Sequence, residues 1–325
     1  MNEFFKKLDE EVKKHKNIII MGHINPDLDC IGSSLGLYYG IEKESYIFKT
    51  QDKLNDSMKK AFKVLENKNI NFIDKTNYKE KLEDALLIII DLHRKGLLEH
   101  EEILEEIKDV IVIDHHIIGR DKIESKLEYI DSKASSATEI IAHYLKYKEK
   151  TVDSEIATIM LAGIEIDTNG YNMKTTEKTF KTAAHLMSMG ADNILKQNIL
   201  KIKKEDYINR TEQIKNSYMI NNMMICKLEG NNYNPSYLAT MSEDLLRFDK
   251  VEASFTLGEL SNKRIGISAR SLGNINVEEI MSSLGGGGHL TDAACQIDAD
   301  ISLAEKLLIN TLEEEIYESN IHKRR

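Results

Sequence analysis

Residues 17–30 read NIIIMGHINPDLDC. The first half, Asn17–Met21, is apolar without polar alternation, the pattern of a strand buried on both faces as in a parallel sheet. The second half sets His23, Asp27 and Asp29 within seven positions around Pro26. A buried carboxylate without a partner is costly. Either these side chains turn to solvent on a loop, or positive charge sits among them.

The same juxtaposition recurs at Ile88-Ile89-Ile90-Asp91, at Val112-Ile113-Asp114-His115-His116 and at Gly163-Ile164-Glu165-Ile166-Asp167. A single Asp after a strand is ordinarily a helix N-cap or a turn residue, and Asp167-Thr168-Asn169-Gly170 alone reads as a turn. A tandem histidine pair is weak evidence by itself. Four apolar segments ending in carboxylates or imidazoles are different. In an open parallel sheet, ligands bind beyond the carboxyl ends of the strands, and three of the four groups directly follow strands.

Further out, Asn17–Met21, Ala85–Ile90 and Val110–Ile113 read as buried strands. Ile31, Leu35 and Tyr38/Tyr39, then Met58, Phe62 and Leu65, recur between them at helical spacing. This alternation predicts an α/β fold with a mostly parallel N-terminal sheet and helices on both faces. An opening amphipathic helix carries Phe4, Phe5, Leu8 and Val12. Residues 135–165 and 175–189 read as helices, the second with Phe180, Ala184 and Met187 on one face and Gly190 as its C-terminal cap. Residues 191–216 are polar, free of Gly and Pro, and read as one connecting helix. Strands near 222–228, 251–258 and 263–270, a helix near 276–284 and a last helix from about 302 predict a smaller C-terminal mixed-sheet α/β domain. The expected division is 1–190, 191–216 and 217–325.

The 325 residues suffice for two cores. The net charge of −10 argues against gripping long nucleic acid through a broad basic surface. A small phosphorylated substrate stays open, because bound cations reverse a local field. No apolar run approaches a membrane span and the N-terminus lacks a signal peptide's apolar stretch, so the expected location is cytoplasmic, without a membrane partner. Cys30, Cys226 and Cys295 are scattered and offer neither a disulfide framework nor a CxxC metal pair.

Hard oxygen donors with imidazole suit Mn²⁺ or a similar divalent ion, and the lack of a neighbouring cysteine disfavours a thiolate site. Six donors, His23, Asp27, Asp29, Asp91, His115 and Asp167, exceed what one ion can take while leaving room for substrate. They suit two ions roughly 3.5–4 Å apart that share a carboxylate. His93, His100, His143, His185 and His322 are left as surface or packing residues.

A second distinctive element is Leu284-Gly285-Gly286-Gly287-Gly288-His289, followed by Ala293-Ala294. Consecutive glycines are entropically expensive to order. They suit a backbone whose N–H groups approach a phosphate, with His289 as a further donor. A flexible linker is the alternative, but linkers are seldom set between a helix pattern and small apolar residues. Upstream, Ser268-Ala269-Arg270-Ser271 ends a strand, where Arg270 is placed to bind phosphate bidentately.

With these residues in view, Asp114-His115-His116, GHINPDLD, Asp91 and GIEIDTN resemble the four motifs of the DHH phosphoesterase superfamily. GGGGHLTDAAC resembles the signature of its companion DHHA1 domain. The resemblance implies a two-domain, Mn²⁺-dependent phosphoesterase with metals in the first domain and substrate-holding residues in the second. It implies that Asp91 is the bridging carboxylate and that His116 faces the substrate phosphate, with Asp91, His116 and Asp114 as the catalytic group. Ser268, Arg270, Gly286, Gly287, Gly288 and His289 join His116 as substrate contacts, and related proteins commonly dimerise through the DHH domain.

Within the superfamily, Val251–Phe255, Gly266–Gly273, Gly288–Thr291, Leu161–Ile164 and Ala134–Ser136 resemble the catalytic part of cyclic di-AMP phosphodiesterases of the GdpP type. Cys295-Gln296 stands where the nanoRNase branch more often has Gly after the paired alanines. The implied substrate is cyclic di-AMP or linear pApA. The alternative is a nanoRNase trimming short RNA, with pAp phosphatase activity. GdpP proteins carry an N-terminal anchor and sensory domains that these residues do not resemble. The expectation is either a stand-alone enzyme or the soluble part of a longer protein, with the initial Met and the opening helix on the side of a natural start.

Overall fold

The apolar runs pair as parallel strands. The computed structural model describes residues 1–49, 54–119 and 121–322, with side-chain surroundings as far as Glu314. The His322 side chain therefore lies outside the described part. The chain forms two compact units, Met1–Lys201 and Ile202–Arg325.

In the first unit, β1 (Asn17–Met21), β2 (Ser45–Phe48), β3 (Phe72–Ile73), β4 (Ala85–Ile90), β5 (Val110–Asp114) and β6 (Leu127–Ile130) make one sheet. Its order among the described residues is β3-β2-β1-β4-β5-β6, with every neighbouring pair parallel. The connections run outward from β1 in one direction and from β4 in the other. The β1–β4 boundary is thus a topological switch point, where a crevice opens beyond the strands' carboxyl ends.

Eight helices, among the described residues, accompany this sheet: α1 (Asn2–Lys14), α2 (Leu28–Gly40), α3 (Asp56–Leu65), α4 (Ile103–Glu106), α5 (Ala137–Tyr147), α6 (Ser154–Asp167), α7 (Glu177–Ser188) and α8 (Asn193–Leu200). The two-residue period of a strand sorts its side chains between two cores. Ile18, Ile20, Leu86, Ile88, Ile90, Ile111 and Ile113 pack with residues of α1, α2, α5 and α6. Ile19, Met21, Leu87, Ile89, Val110 and Val112 pack on the other side with Tyr78, Leu98 and Ile103. Each fully buried aliphatic side chain contributes about 1.5–3 kcal/mol. All six positions of β4 are buried, which secures it as a central strand.

The region 135–165, read as one helix, is α5 and α6 with a break at Lys148–Asp153. In α7 the buried residues are Thr179, Thr182 and Leu186. Phe180 and Met187, read as its apolar face, point outward, and Phe180 stacks on Tyr171. The connecting helix expected over 191–216 is two helices, α8 and α9 (Lys204–Lys215). Ile199 of α8 belongs to the first core, whereas α9 buries no residue fully and its Ile214 packs with a core of the second unit. The helix breaks where core membership changes, not at a Gly or Pro.

The second unit adds β7 (Tyr218–Ile220), β8 (Met223–Lys227), α10 (Pro235–Leu245), β9 (Ala253–Glu259), β10 (Ile265–Ser271), α11 (Val277–Ser283), β11 (Gly287–Gly288), β12 (Asp292–Ile297) and α12 (Ile301–His322). The sheet order is β11-β12-β10-β9-β8-β7, antiparallel except for β8–β9. Residues of α11 and α12 pack on one face and residues of α10 on the other. No described helix is long and apolar enough to cross a membrane.

Candidate metal centre

His23 lies two residues past β1, Asp91 follows β4, and His115 follows β5, so adjacent parallel strands deliver all three to one rim. Asp91 leaves β4 with φ of 61°, while its N–H still bonds Ile113 O at 2.9 Å. A left-handed non-glycine residue costs about 1–2 kcal/mol and is concentrated at functional sites. Here it turns the carboxylate away from the strand's own alternation. Asp91 Oδ2 lies 3.5 Å from His23 Nε2 and Oδ1 lies 3.3 Å from His115 Nε2.

The loop after β1 feeds the site twice. Asp27 caps α2, its Oδ1 accepting from Asp29 N and Cys30 N at 2.9 and 3.0 Å. Asp29 is fully buried. Its two oxygens accept from Ala137 N at 2.7 Å and Thr138 N at 2.8 Å, the first N–H groups of α5. A helix N-terminus favours an anion, and here the N-terminus of α5, entered through Ala134-Ser135-Ser136, receives the Asp29 carboxylate. Asp167, in the last turn of α6, lies 3.0 Å from His115 Nε2, and Asp29 lies 3.8 Å from the same nitrogen.

Ligand atoms of Asp29, His115 and Asp167 fall within 4.8 Å of one another, as do those of Asp91, Asp114, His115 and His116. His23, Cys30 and Asp91 form a third such group. Asp27 is in none of these groups, although its charge is felt by His23. Cys30 was not expected here. The sequence shows no cysteine pair, yet this one buried thiol sits among ligand atoms and packs over Gly22.

Crowding of like charges shifts the protonation of these groups. Burial, then the charges of Asp167 and Asp91, push Asp27 up to about 6. The same causes push Asp29 well above the carboxylate range. Burial disfavours charge on His23, but Asp91 and Asp27 outweigh it and raise His23 to about 9. His115 is raised likewise by Asp167 and Asp91 against its burial. Burial opposes ionisation of Asp91, yet the imidazoles of His115, His23 and His116 hold it well below the usual range. Asp91 Oδ1 and His115 Nε2 are nevertheless buried without a hydrogen-bond partner. The carboxylates of Asp27, Asp29, Asp91 and Asp167 carry four negative charges when ionised, which two divalent cations neutralise. Orphaned buried donors, oxygen and imidazole chemistry and this charge balance all fit divalent metal.

Asp114 plays another part. Fully buried, it accepts at Oδ1 from His115 N at 2.7 Å, His116 N at 3.2 Å and His116 Nδ1 at 2.8 Å. It therefore positions His116, whose side chain is 46% exposed. Its Oδ2 meets His93 Nδ1 at 2.5 Å. His93, expected to be a surface or packing residue, is thus a buried member of this network. Its signal was available in the spacing Asp91-Leu92-His93, but its partner lies on the neighbouring strand.

In the second unit the glycine run serves local packing first. Gly285 N and Gly286 N close α11 onto Ser282 O and Met281 O. A Cβ on Gly286 would meet Ala294 O at 2.2 Å, and one on Gly288 would meet Ala293 Cα at 2.4 Å. His289 N donates to Asp292 O at 2.7 Å. Gly286 and Gly288 therefore pack closely against β12, where a side chain has no room. Gly287 differs, since a Cβ there meets nothing within 4 Å. Arg270, expected to be offered to phosphate, already faces Glu243 at 3.2 Å and Asp292 at 3.1 Å. Its Nη1 donates to Ala269 O, and Ser268 Oγ lies 3.4 Å away.

Comparison with known proteins identifies the family of both domains. Residues 17–164 match the DHH family, N-terminal domain, and residues 216–318 match the DHHA1 domain. The chain is 35% identical over 314 residues to the cyclic-di-AMP phosphodiesterase GdpP of Bacillus subtilis, covering 92% of this chain and 48% of that protein. It is 28% identical over 290 residues to the bifunctional oligoribonuclease and PAP phosphatase NrnA of Mycoplasma genitalium, covering 86% and 87%. The chain thus spans about half the length of the GdpP relative. An exopolyphosphatase-related protein from Bacteroides fragilis has the same fold, with a TM-score of 0.82, 20% identity and coverage of 97% and 96%. With both domains matched in order and the DHH triplet at the end of β5, the chain belongs to the DHH family, its DHH domain followed by a DHHA1 domain.

Proposed function

We propose that the chain is a metal-dependent phosphodiesterase that hydrolyses cyclic di-AMP, linear pApA or both, using two divalent ions, with Mn²⁺ the foremost candidate. The observation that carries this is the convergence of His23, Asp29, Asp91, His115 and Asp167 around buried, unpartnered donor atoms. His23, Asp27 and Asp91 would hold one ion, and Asp29, Asp91, His115 and Asp167 the other, with Asp91 shared. Ions so held supply Lewis-acid charge to phosphate oxygens and lower the pKa of water.

The chain's own residues do the rest. Asp91, held in its left-handed turn, presents both oxygens to the two ligand groups. Asp114 fixes His116 through Nδ1, leaving Nε2 as the ring's other donor for a phosphate oxygen. Desolvation disfavours charge on His116, but the hydrogen bond to Asp114 and the charge of Asp91 outweigh it and raise its pKa. Ser268, Arg270, Gly286, Gly287, Gly288 and His289 are assigned to the rest of the substrate. Support comes from their residue types and from the open side of Gly287.

A second reading, short-RNA hydrolysis with pAp phosphatase activity, is favoured by the reciprocal coverage of the NrnA relative. Product chromatography separates them. Purified protein with Mn²⁺ is offered cyclic di-AMP, pApA, cyclic di-GMP, a short RNA and pAp at equal concentration. Preferential loss of cyclic di-AMP or pApA supports the first reading. Loss of only short RNA and pAp moves the function to the second, and loss of none refutes both.

A further inference from the structure

We infer that His93 is the positioning residue that sets His116 for reaction, acting through Asp114 and through the loop that carries His116. His93 is 1% exposed, its ring between two partners on one stretch of chain. On one side its Nδ1 meets Asp114 Oδ2 at 2.5 Å. On the other, Gly119 N donates to its Nε2 at 3.0 Å. A ring nitrogen that accepts a backbone N–H carries no proton, so the imidazole's hydrogen is on Nδ1 and is donated to Asp114.

The result is a continuous relay of bonds: Gly119 N–H to His93, His93 to Asp114, and His116 Nδ1 to the other oxygen of Asp114. His93 therefore ties Asp114 and Gly119, the two ends of the segment that carries His115 and His116, to one rigid ring. The ring is itself anchored two residues beyond Asp91, and its backbone O accepts from Ile123 N at 2.8 Å. One imidazole thereby fixes the orientation of the Asp114 carboxylate that holds His116, and the path of the loop beyond it. Partners at this remove from a metal centre cost about 10–100-fold in affinity or activity when lost.

The two amides divide the imidazole's work. The Asn amide reaches as far as Nδ1, so His93→Asn keeps the donor to Asp114 and gives up the acceptor for Gly119. The Gln amide reaches as far as Nε2, so His93→Gln keeps the acceptor and gives up the donor. If the bond to Asp114 is what positions His116, His93→Asn retains kcat within a few-fold. His93→Gln and His93→Ala then lose about 10–100-fold in kcat with KM little changed. Mn²⁺ affinity by calorimetry stays at the wild-type value in His93→Asn and His93→Gln, which separates loss of positioning from loss of the ligand cluster.

This kinetic arm rests on the phosphodiesterase reading and uses whichever phosphodiester the wild-type protein cleaves. A second arm does not depend on activity. In wild-type protein, nitrogen-15 NMR of the His93 ring shows the Nδ1–H tautomer, with a strongly downfield, slowly exchanging Nδ1 proton. An Nε2–H tautomer overturns the inference whether or not any substrate is cleaved. So does wild-type kcat in His93→Ala, or a kcat loss in His93→Asn as deep as in His93→Ala. If the wild-type protein cleaves no phosphodiester while the Nδ1–H signal is present, the functional reading fails and the network stands.

Discussion

Replacing Gly163 by Ala tests whether two of the proposed metal ligands, Asp29 and Asp167, are set by one helix contact. Gly163 lies in α6, four residues before Asp167, and faces the first turn of α2. A Cβ there would lie 2.7 Å from Leu28 O and 2.9 Å from Asp29 Cα. Both atoms are backbone, so no rotamer change relieves the clash. Ordinary contact needs roughly 3.5 Å, so α2 and α6 must part by about 0.5–0.8 Å. Overpacking of this kind costs about 1–3 kcal/mol. Ala gains about 1 kcal/mol over Gly in a helix interior, so the net loss is about 0–2 kcal/mol. Because Asp29 moves away from Asp167, the larger effect falls on metal. Disturbed support of metal ligands costs about 10–100-fold in metal affinity, so Mn²⁺ affinity by calorimetry drops at least ~10-fold. Gly36→Ala is the control. Gly36 lies on α2, like Asp29, and its Cβ would meet Met160 Cε at 2.6 Å and Ile141 Cγ2 at 2.8 Å, both side-chain atoms. The substitution leaves metal affinity unchanged. Wild-type Mn²⁺ binding by Gly163→Ala, with unfolding within ~0.5 kcal/mol of wild type, would refute the shared-contact explanation.

Asp91→Asn keeps a residue that tolerates the left-handed turn but removes the charge shared by both ligand groups. Calorimetry then shows Mn²⁺ affinity reduced at least ~100-fold with little change in the unfolding midpoint of the metal-free protein. A Cβ on Gly22 would sit 2.0 Å from Cys30 Sγ and 3.6 Å from its next neighbour, so Gly22→Ala destabilises by about 1–3 kcal/mol. Cys30→Ala removes the colliding atom, and the double variant recovers at least half of that loss in urea unfolding. Additive losses would show that the clash was misjudged. The pKa shifts of Asp27 and His23 set a pH dependence. The metal-free folded protein holds a proton on Asp27 up to about 6 and on His23 up to about 9. The unfolded chain releases these protons near 3.8 and 6.5. Folded protein binds more protons in both windows, so these groups make metal-free stability fall from about pH 4 to 6 and again from about 6.5 to 9. Metal must displace the same protons, so Mn²⁺ affinity rises over pH 6–9, and calorimetry in buffers of different ionisation heat shows proton release. Affinity that is flat or falling over that range would rule out proton displacement.

Strand order explains both what could be read from the sequence and what could not. β1, β4 and β5 were legible because each is buried on both faces and so lacks polar alternation. The polar residues at their ends, His23, Asp91 and His115, were legible because each follows its strand by a residue or two. β2 and β6 were missed: SYIF and LEYI are four residues long, and β6 is a partly exposed edge strand. β12 was taken for part of a glycine motif, although its two most buried residues, Ala293 and Cys295, alternate with exposed ones. The contacts that turn ligands into a site are of another kind. Asp29 meets the N-terminus of α5 across 108 positions of sequence, and His93 meets Asp114 only because β4 and β5 are neighbours. No local pattern encodes either contact. Gly163 is intermediate, since a glycine inside an apolar helix signals close packing but does not name the partner. Given the order β1-β4-β5, however, His93 and Asp114 become an adjacent pair just beyond two paired strands. Its chemistry could then have been foreseen, because a buried carboxylate at that rim needs donors for both oxygens, and His93, just beyond the neighbouring strand, supplies one to the oxygen that the adjacent histidines leave.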